Sequence, residues 1–272
     1  MLFLVITFKP SNRITNNHAI FVSMSATKLK NAPLKEVIFE LHWEPSVDNL
    51  GVQTDPEFDL AQGKFAERIK SEFPVHKKLI PDGIQFKLFG APSHQYWKSE
   101  LNWPVVQHGQ CMIAVNEIEA GYEWEKSYKP LLISVIEKIQ ASYENELKFY
   151  RTKLQYIDAW DLEEGKDIDA IDFVSKTLQT QIINNYNLPG KLESFNIQQN
   201  FSLTADSILS LNIYNGINNQ TSKPSVIWTT TTEKMNRMKH DDVIQWLDEA
   251  HNHCSEIFKN MINPDFYASL DK

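Results

Sequence analysis

Glu146 to Leu162 reads ELKFYRTKLQYIDAWDL, and the reading of this stretch decides the fold. The even positions Tyr150, Thr152, Leu154, Tyr156, Asp158 and Trp160 alternate with polar Arg151, Lys153 and Gln155 before Ile157 and Ala159. Period-two alternation over more than one ordinary strand length, rich in aromatic residues, predicts a long, half-buried antiparallel strand. Asp158 departs from the pattern, as an acid on an aromatic face.

Upstream, Val37, Phe39, Leu41 and Trp43 alternate with Glu36, Ile38, Glu40 and His42. They predict a first strand over 34–43, limited by Pro45. Asp55-Pro56-Glu57 has the form of a helix start, and Phe58, Ala61, Phe65, Ile69 and Phe73 then recur at the spacing of one buried helical face, closed by Pro74. A second strand is expected over Ile84–Phe89, then a loop holding His94, Tyr96 and Trp97. One or two strands follow over Val105–Ile118, interrupted by His108-Gly109-Gln110 as a turn or bulge. After Gly121, a turn from Trp124 leads into a regular helix from about Lys129, which puts Pro130 in its first turn.

Downstream the order starts again. A helix is expected over about Ala170–Asn184, then strands over Phe195–Leu203, Ser207–Tyr214 and Ser225–Glu233, with a loop over 215–224. The closing helix runs from Asp241 to about Ile262, with Val243, Leu247, Ala250, Cys254, Ile257, Phe258 and Met261 on its apolar face. The expected class is α+β: a largely antiparallel sheet, or two, with long helices packed on one face. The pattern divides into two pseudo-symmetric halves, 24–145 and 146–272, alike in hydrophobic order and not in residue identity. Residues 1–23 read as an N-terminal extension outside the core, with an edge strand over Phe3–Phe8 as the alternative. The opening MLFLVITF has neither a preceding basic residue nor a small-residue cleavage site, so a signal peptide is not expected.

The 272 residues are 42% hydrophobic and 11% aromatic, a globular composition. The net charge of −8 supplies no basic field for a phosphate backbone, so general nucleic-acid binding is not expected. Two cysteines are too few for a disulfide scaffold or a cysteine metal cluster and fit a reducing cytoplasm. No stretch approaches the roughly 18 apolar residues of a membrane helix. No G-x-S-x-G, phosphate loop or dinucleotide glycine pattern occurs, so neither cofactor nor metal is expected.

Desolvation raises the pKa of an acid among aromatic rings unless a donor compensates, which makes Asp158 the first candidate, with Tyr150, Tyr156, Trp160 and Trp228 around it. Asn116 and Glu117, at a strand end before Gly121, form the second. Glu233 holds the comparable place in the other half, and two acids facing across a pseudo-twofold axis would suit acid–base work or a cation. The plainer readings are a hydrogen-bonded core carboxylate for Asp158 and capping chemistry for Glu117 and Glu233. His251 follows the buried position Ala250 and is placed to meet the sheet. His251 and His253, two apart, lie on different helix faces and make no joint metal pair. Cys111, in a strand run, and Cys254, on a helix face, read as inert core thiols.

NAPLKEVIFELHW (31–43), IAVNEIEAGYEWEKSYKPLL (113–132), KLQYIDAW (153–160) and LDEAHNHCSEIFKNMI (247–262) together resemble a sporadically distributed bacterial family of about this length that has no assigned biochemical activity. The resemblance covers nearly everything after Met24 and implies no catalytic residues. Patchy distribution of this kind is associated with mobile or defence-related genes. The favoured expectation is a non-catalytic protein that binds an unknown protein or small molecule away from membranes. It would use an aromatic cleft between sheet and helices, built from Tyr150, Tyr156, Asp158, Trp160, Trp228, Asn116, Glu117 and Glu233. One alternative is an acid–base hydrolase using Asp158, Glu117 and Glu233 with a histidine such as His251. The other is a self-associating structural subunit of a bacterial complex.

Overall fold

The computed structural model describes residues 29–80, 89–100, 102–163, 169–183, 185–187, 189–190, 192–218 and 221–272. The proposed extension over 1–23 and nearly all of the strand expected over Ile84–Phe89 lie outside them. In chain order the elements are β1 (Leu34–Trp43), β2 (Ser46–Val47), β3 (Gln53–Thr54), α1 (Phe58–Ile69), β4 (Val75–Lys78), β5 (Pro92–Ser99), β6 (Asn102–Gly109) and β7 (Met112–Ile118). A π-helical turn over Trp124–Tyr128 leads into α2 (Lys129–Gln140), followed by β8 (Phe149–Asp161), α3 (Ala170–Thr177), β9 (Asn196–Ser202), β10 (Ser207–Asn218), β11 (Lys223–Met238), α4 (His240–Met261) and α5 (Pro264–Ser269).

Nine strands form one antiparallel sheet in the order β4-β5-β6-β7-β1-β8-β11-β10-β9, and β2 pairs with β3 as a separate hairpin. The alternating stretch is β8, near the middle of that sheet. Leu154 stands opposite Phe39 on one side and Thr232 on the other; Tyr156 stands opposite Val37 and Thr230. A side chain shares its face with its cross-strand partners, so the register assigns every residue to a side.

All the helices of the described residues lie on one side. Val37, Phe39, Leu41 and Trp43 of β1 share a core with Phe65 and Ile69 of α1, Leu132 and Ile136 of α2, and Val243 and Leu247 of α4. A second core joins Phe173 and Val174 of α3 to Leu211 and Ile213 of β10, Val226 and Trp228 of β11, and Met261 and Ile262 at the end of α4. One continuous sheet therefore carries two apolar clusters.

Several local expectations change. The segment with His94, Tyr96 and Trp97 is strand β5, not a loop. It escapes the alternation test because polar and apolar residues mix on both faces. His94 shares the helix side with Tyr96, and Trp97 shares the other side with Gln95, which donates from Nε2 to Gln107 Oε1 on β6 (3.0 Å) and accepts from Trp97 Nε1 (3.3 Å). His108 likewise lies on a strand and is fully buried. Cys111 is in the two-residue turn between β6 and β7, with a left-handed φ of 54°. α3 stops at Thr177, short of Asn184. Gln179 has φ 49°, and the chain is held by Asn263 N–H donating to Thr177 O (2.7 Å) and Gln179 Nε2 donating to Ile262 O (3.0 Å). Tertiary contact overrides helix propensity there.

Candidate functional site

The sequence treats eight residues as one wall; the register divides them. Tyr156, Asp158 and Trp160 of β8, Trp228 of β11 and Glu117 of β7 face the helices, because Glu117 is opposite Val37 and Trp228 opposite Asp158. Asn116 and Glu233 face the other way. Tyr150 joins them, since a bulge places both Tyr150 and Arg151 opposite His42, with the Tyr150 ring 6.4 Å from the His42 ring.

On the helix side, a polar band separates the two apolar cores, made by Tyr156 and Asp158 of β8, Thr230 and Thr232 of β11, and Cys254 of α4. The Tyr156 hydroxyl lies 2.8 Å from the Tyr122 hydroxyl and 2.8 Å from His251 Nδ1. The His251 ring stacks on Trp124 at 4.3 Å and 10°. Trp124 Nε1 donates to Asp248 (3.3 Å), which pairs with Lys129 at 2.8 Å. Burial holds His251 down at about 4, so its imidazole is neutral near pH 7, and pushes both phenols up. Asp158 is 4% exposed; burial pushes it up to about 7, partly offset by the Lys35 charge. Glu117 accepts from Ile118 N–H (3.0 Å). A Cβ at Gly121 would come within 2.7 Å of its carboxylate, so the glycine there gives Glu117 its room. Trp228 is fully buried and Trp160 packs edge-on against Phe266 at 4.8 Å. The aromatic wall expected to line a cleft is therefore largely interior packing.

On the opposite side, side-chain hydrogen bonds cross four strands. Gln95 donates to Gln107, Gln107 to Asn116 (2.9 Å), and Asn116 to Glu36 (2.7 Å). Glu40 pairs with Lys153 at 2.6 Å; burial alone would raise its pKa, but His42 and Lys153 hold it down at about 2. Glu233 is bound in an ion pair with Arg151. It lies across the sheet from Asp158 and Glu117, so the three acids do not converge.

A cleft of about 600 Å³ opens at one end of the sheet. Its lining comes from the end of β1, the β2–β3 hairpin, the approach to α1, the β6–β7 turn and the segment from α2 to β8. Along β1 it lies six residues from the Tyr156 level, roughly 20 Å at strand rise. Trp43 and Tyr143 meet edge to face at 5.3 Å. Asp55, read from sequence as a helix cap, instead accepts on Oδ2 from the Tyr143 hydroxyl (2.8 Å) and from Cys111 N–H (3.1 Å), fixing the strained turn. No local signal marks these residues: Trp43, Asp55, Cys111 and Tyr143 are brought together only by the fold. Burial and Asp55 push the Cys111 thiol and the Tyr143 phenol far above their usual ranges. Among the described residues, no group of three or more histidine, cysteine or acidic side chains is placed to hold a metal ion. No helix of the described residues is long and apolar enough to cross a membrane. No family model, curated protein or solved structure matches this chain.

Proposed function

We propose that this chain is a non-catalytic ligand-binding protein whose site is the cleft between the Trp43 end of the sheet and the ends of α1 and α2. The observation that carries the reading is the cleft itself. Its volume of about 600 Å³ lies within the range of small-molecule sites, and it joins two aromatic rings to one carboxylate held by fixed donors. Its chemistry favours binding over turnover. A nucleophile or general base works best with a pKa near the operating pH, whereas Cys111 and Tyr143 are driven away from it. The hydrolase reading loses its third acid to the far face. Native mass spectrometry of the protein purified from its host tests the proposal: a retained small molecule, lost when Ser46→Trp fills the cleft mouth, is the expected result. Retention unchanged by that substitution counts against the cleft.

A second reading, self-association, is favoured by β9. This edge strand pairs only with β10 among the described residues, and six of its seven residues are exposed, Phe201 at 42%. An unpaired edge is a template for another chain. The same spectrum reports it as a dimer or larger species.

The doubled layout is supported by strand wiring: in each half the first strand lies beside the last, β1 with β7 and β8 with β11. Superposition of 34–140 on 149–261 tests it. The resemblance to a sporadically distributed bacterial family extends the proposal to an accessory role in a mobile or defence-related locus. A deletion strain with unaltered phage sensitivity and unaltered element maintenance would remove that extension.

A further inference from the structure

We propose that the cleft at the Trp43 end selects an organic cation, an amine or guanidinium seated against Asp55 with the Trp43 and Tyr143 rings beside it. The inference rests on the ligand-binding reading above and names the class of ligand.

Asp55 is the centre of the argument. It is 9% exposed, and both donors recorded on its side chain, the Tyr143 hydroxyl and Cys111 N–H, bond to Oδ2. Asp55 lines the cleft, and among the described residues Oδ1 receives no protein donor. Asp55 Oδ1 is not among the fully buried side-chain atoms that lack a partner, so it is open to water or to a ligand, and two neutral donors do not neutralise the carboxylate's charge. A cationic N–H donor supplies both the missing bond and the opposite charge.

The surroundings favour the same sign. Four carboxylates line the cleft, from Glu44, Asp55, Glu57 and Glu146, against one lysine, Lys148. Arg237 engages Glu44 at 2.6 and 3.2 Å, so that acid is already compensated. Among the described residues Glu57 has no cation bonded to it: it accepts from Asn145 Nδ2 and Glu144 N–H, which with the more distant Lys64 charge hold its carboxyl below the usual range and keep it ionised. A net charge of −8 adds long-range attraction for cations and repulsion for anions. The cleft is too large for a lone amine nitrogen and suits a molecule with an apolar or extended body.

Calorimetry on the full chain at low salt tests the inference, with phenethylamine, agmatine and spermidine as probes and phenethyl alcohol and phenylacetate as uncharged and anionic controls. At least one amine is expected to bind, more weakly as salt is added. Asp55→Asn, which retains an acceptor for Tyr143 and Cys111, is expected to weaken it about tenfold or more. Ser46→Trp, on the exposed hairpin, should abolish it. If Asp55→Asn does not fold, Glu146→Gln at the exposed rim should still weaken the amines by a few-fold. Equal binding of phenethylamine and phenethyl alcohol overturns the inference, as does full affinity in a folded Asp55→Asn or, failing that, in Glu146→Gln. If only the controls bind and Ser46→Trp blocks them, the cleft remains a ligand site and the cationic class falls. If no compound binds, both proposals fall.

Discussion

Replacing Asp158 by asparagine should make this protein more stable at neutral and alkaline pH, the reverse of what loss of a core polar contact usually does. The carboxyl is 4% exposed, between two apolar cores and opposite Trp228. Burial raises it from 3.8 to about 7. At about 1.4 kcal/mol per pH unit, that difference amounts to about 4 kcal/mol. The sign follows from proton binding. Between pH 4 and 7 the folded state holds a proton that the unfolded chain has released, so stability falls as pH rises and levels off above the folded pKa. Asparagine is neutral throughout and escapes this loss. His251, His94 and His108, all pushed down by burial, work in the opposite direction: they remove stability as pH falls below 6.5. The quantity to measure is therefore the difference between variant and wild type, by urea unfolding at pH 5 and pH 8. The variant's advantage should grow by about 2–3 kcal/mol between those pH values. A difference that does not change with pH would mean that Asp158 titrates like an exposed acid, refuting the reasoning.

Phe39→Ala should cost about 3–5 kcal/mol, and Ile38→Ala, on the opposite face, markedly less; similar losses in urea unfolding would contradict the register. Gly109→Ala should destabilise by about 3 kcal/mol or prevent folding, since a Cβ there would lie 1.9 Å from the Ala91 carbonyl oxygen. Thermal unfolding that matches wild type would be inconsistent with that close approach. In histidine ring NMR, His251 should titrate near 4, and a midpoint near 6.5 would show that it is solvated.

The architecture was legible wherever one face of an element is apolar. β1, β8, α2 and α4 follow their expected spans because alternation and helical spacing record which side is buried. β5 was not legible, because its inward positions mix Tyr96 with His94 and its outward Gln95 is paired with another amide. The site was legible only in part. An acid among aromatics marked Asp158 and its raised pKa, and Ala250 beside His251 marked a histidine that does meet the sheet through Tyr156. Which of the eight candidates share a side depends on a bulge at Tyr150 and on the exact register, which alternation alone does not set. Asp55 and Tyr143 are 88 residues apart, and no spacing rule connects them.

The most direct test of the cleft assignment is backbone amide NMR of the full chain titrated with phenethylamine and a set of small aromatic fragments. Shifts gathered on Trp43, Asp55, Cys111, Tyr143 and Leu147 are the expected result. Shifts gathered instead on Gln155, Asn212 and Thr231 of the opposite sheet face, or around Tyr156 and His251, would contradict it.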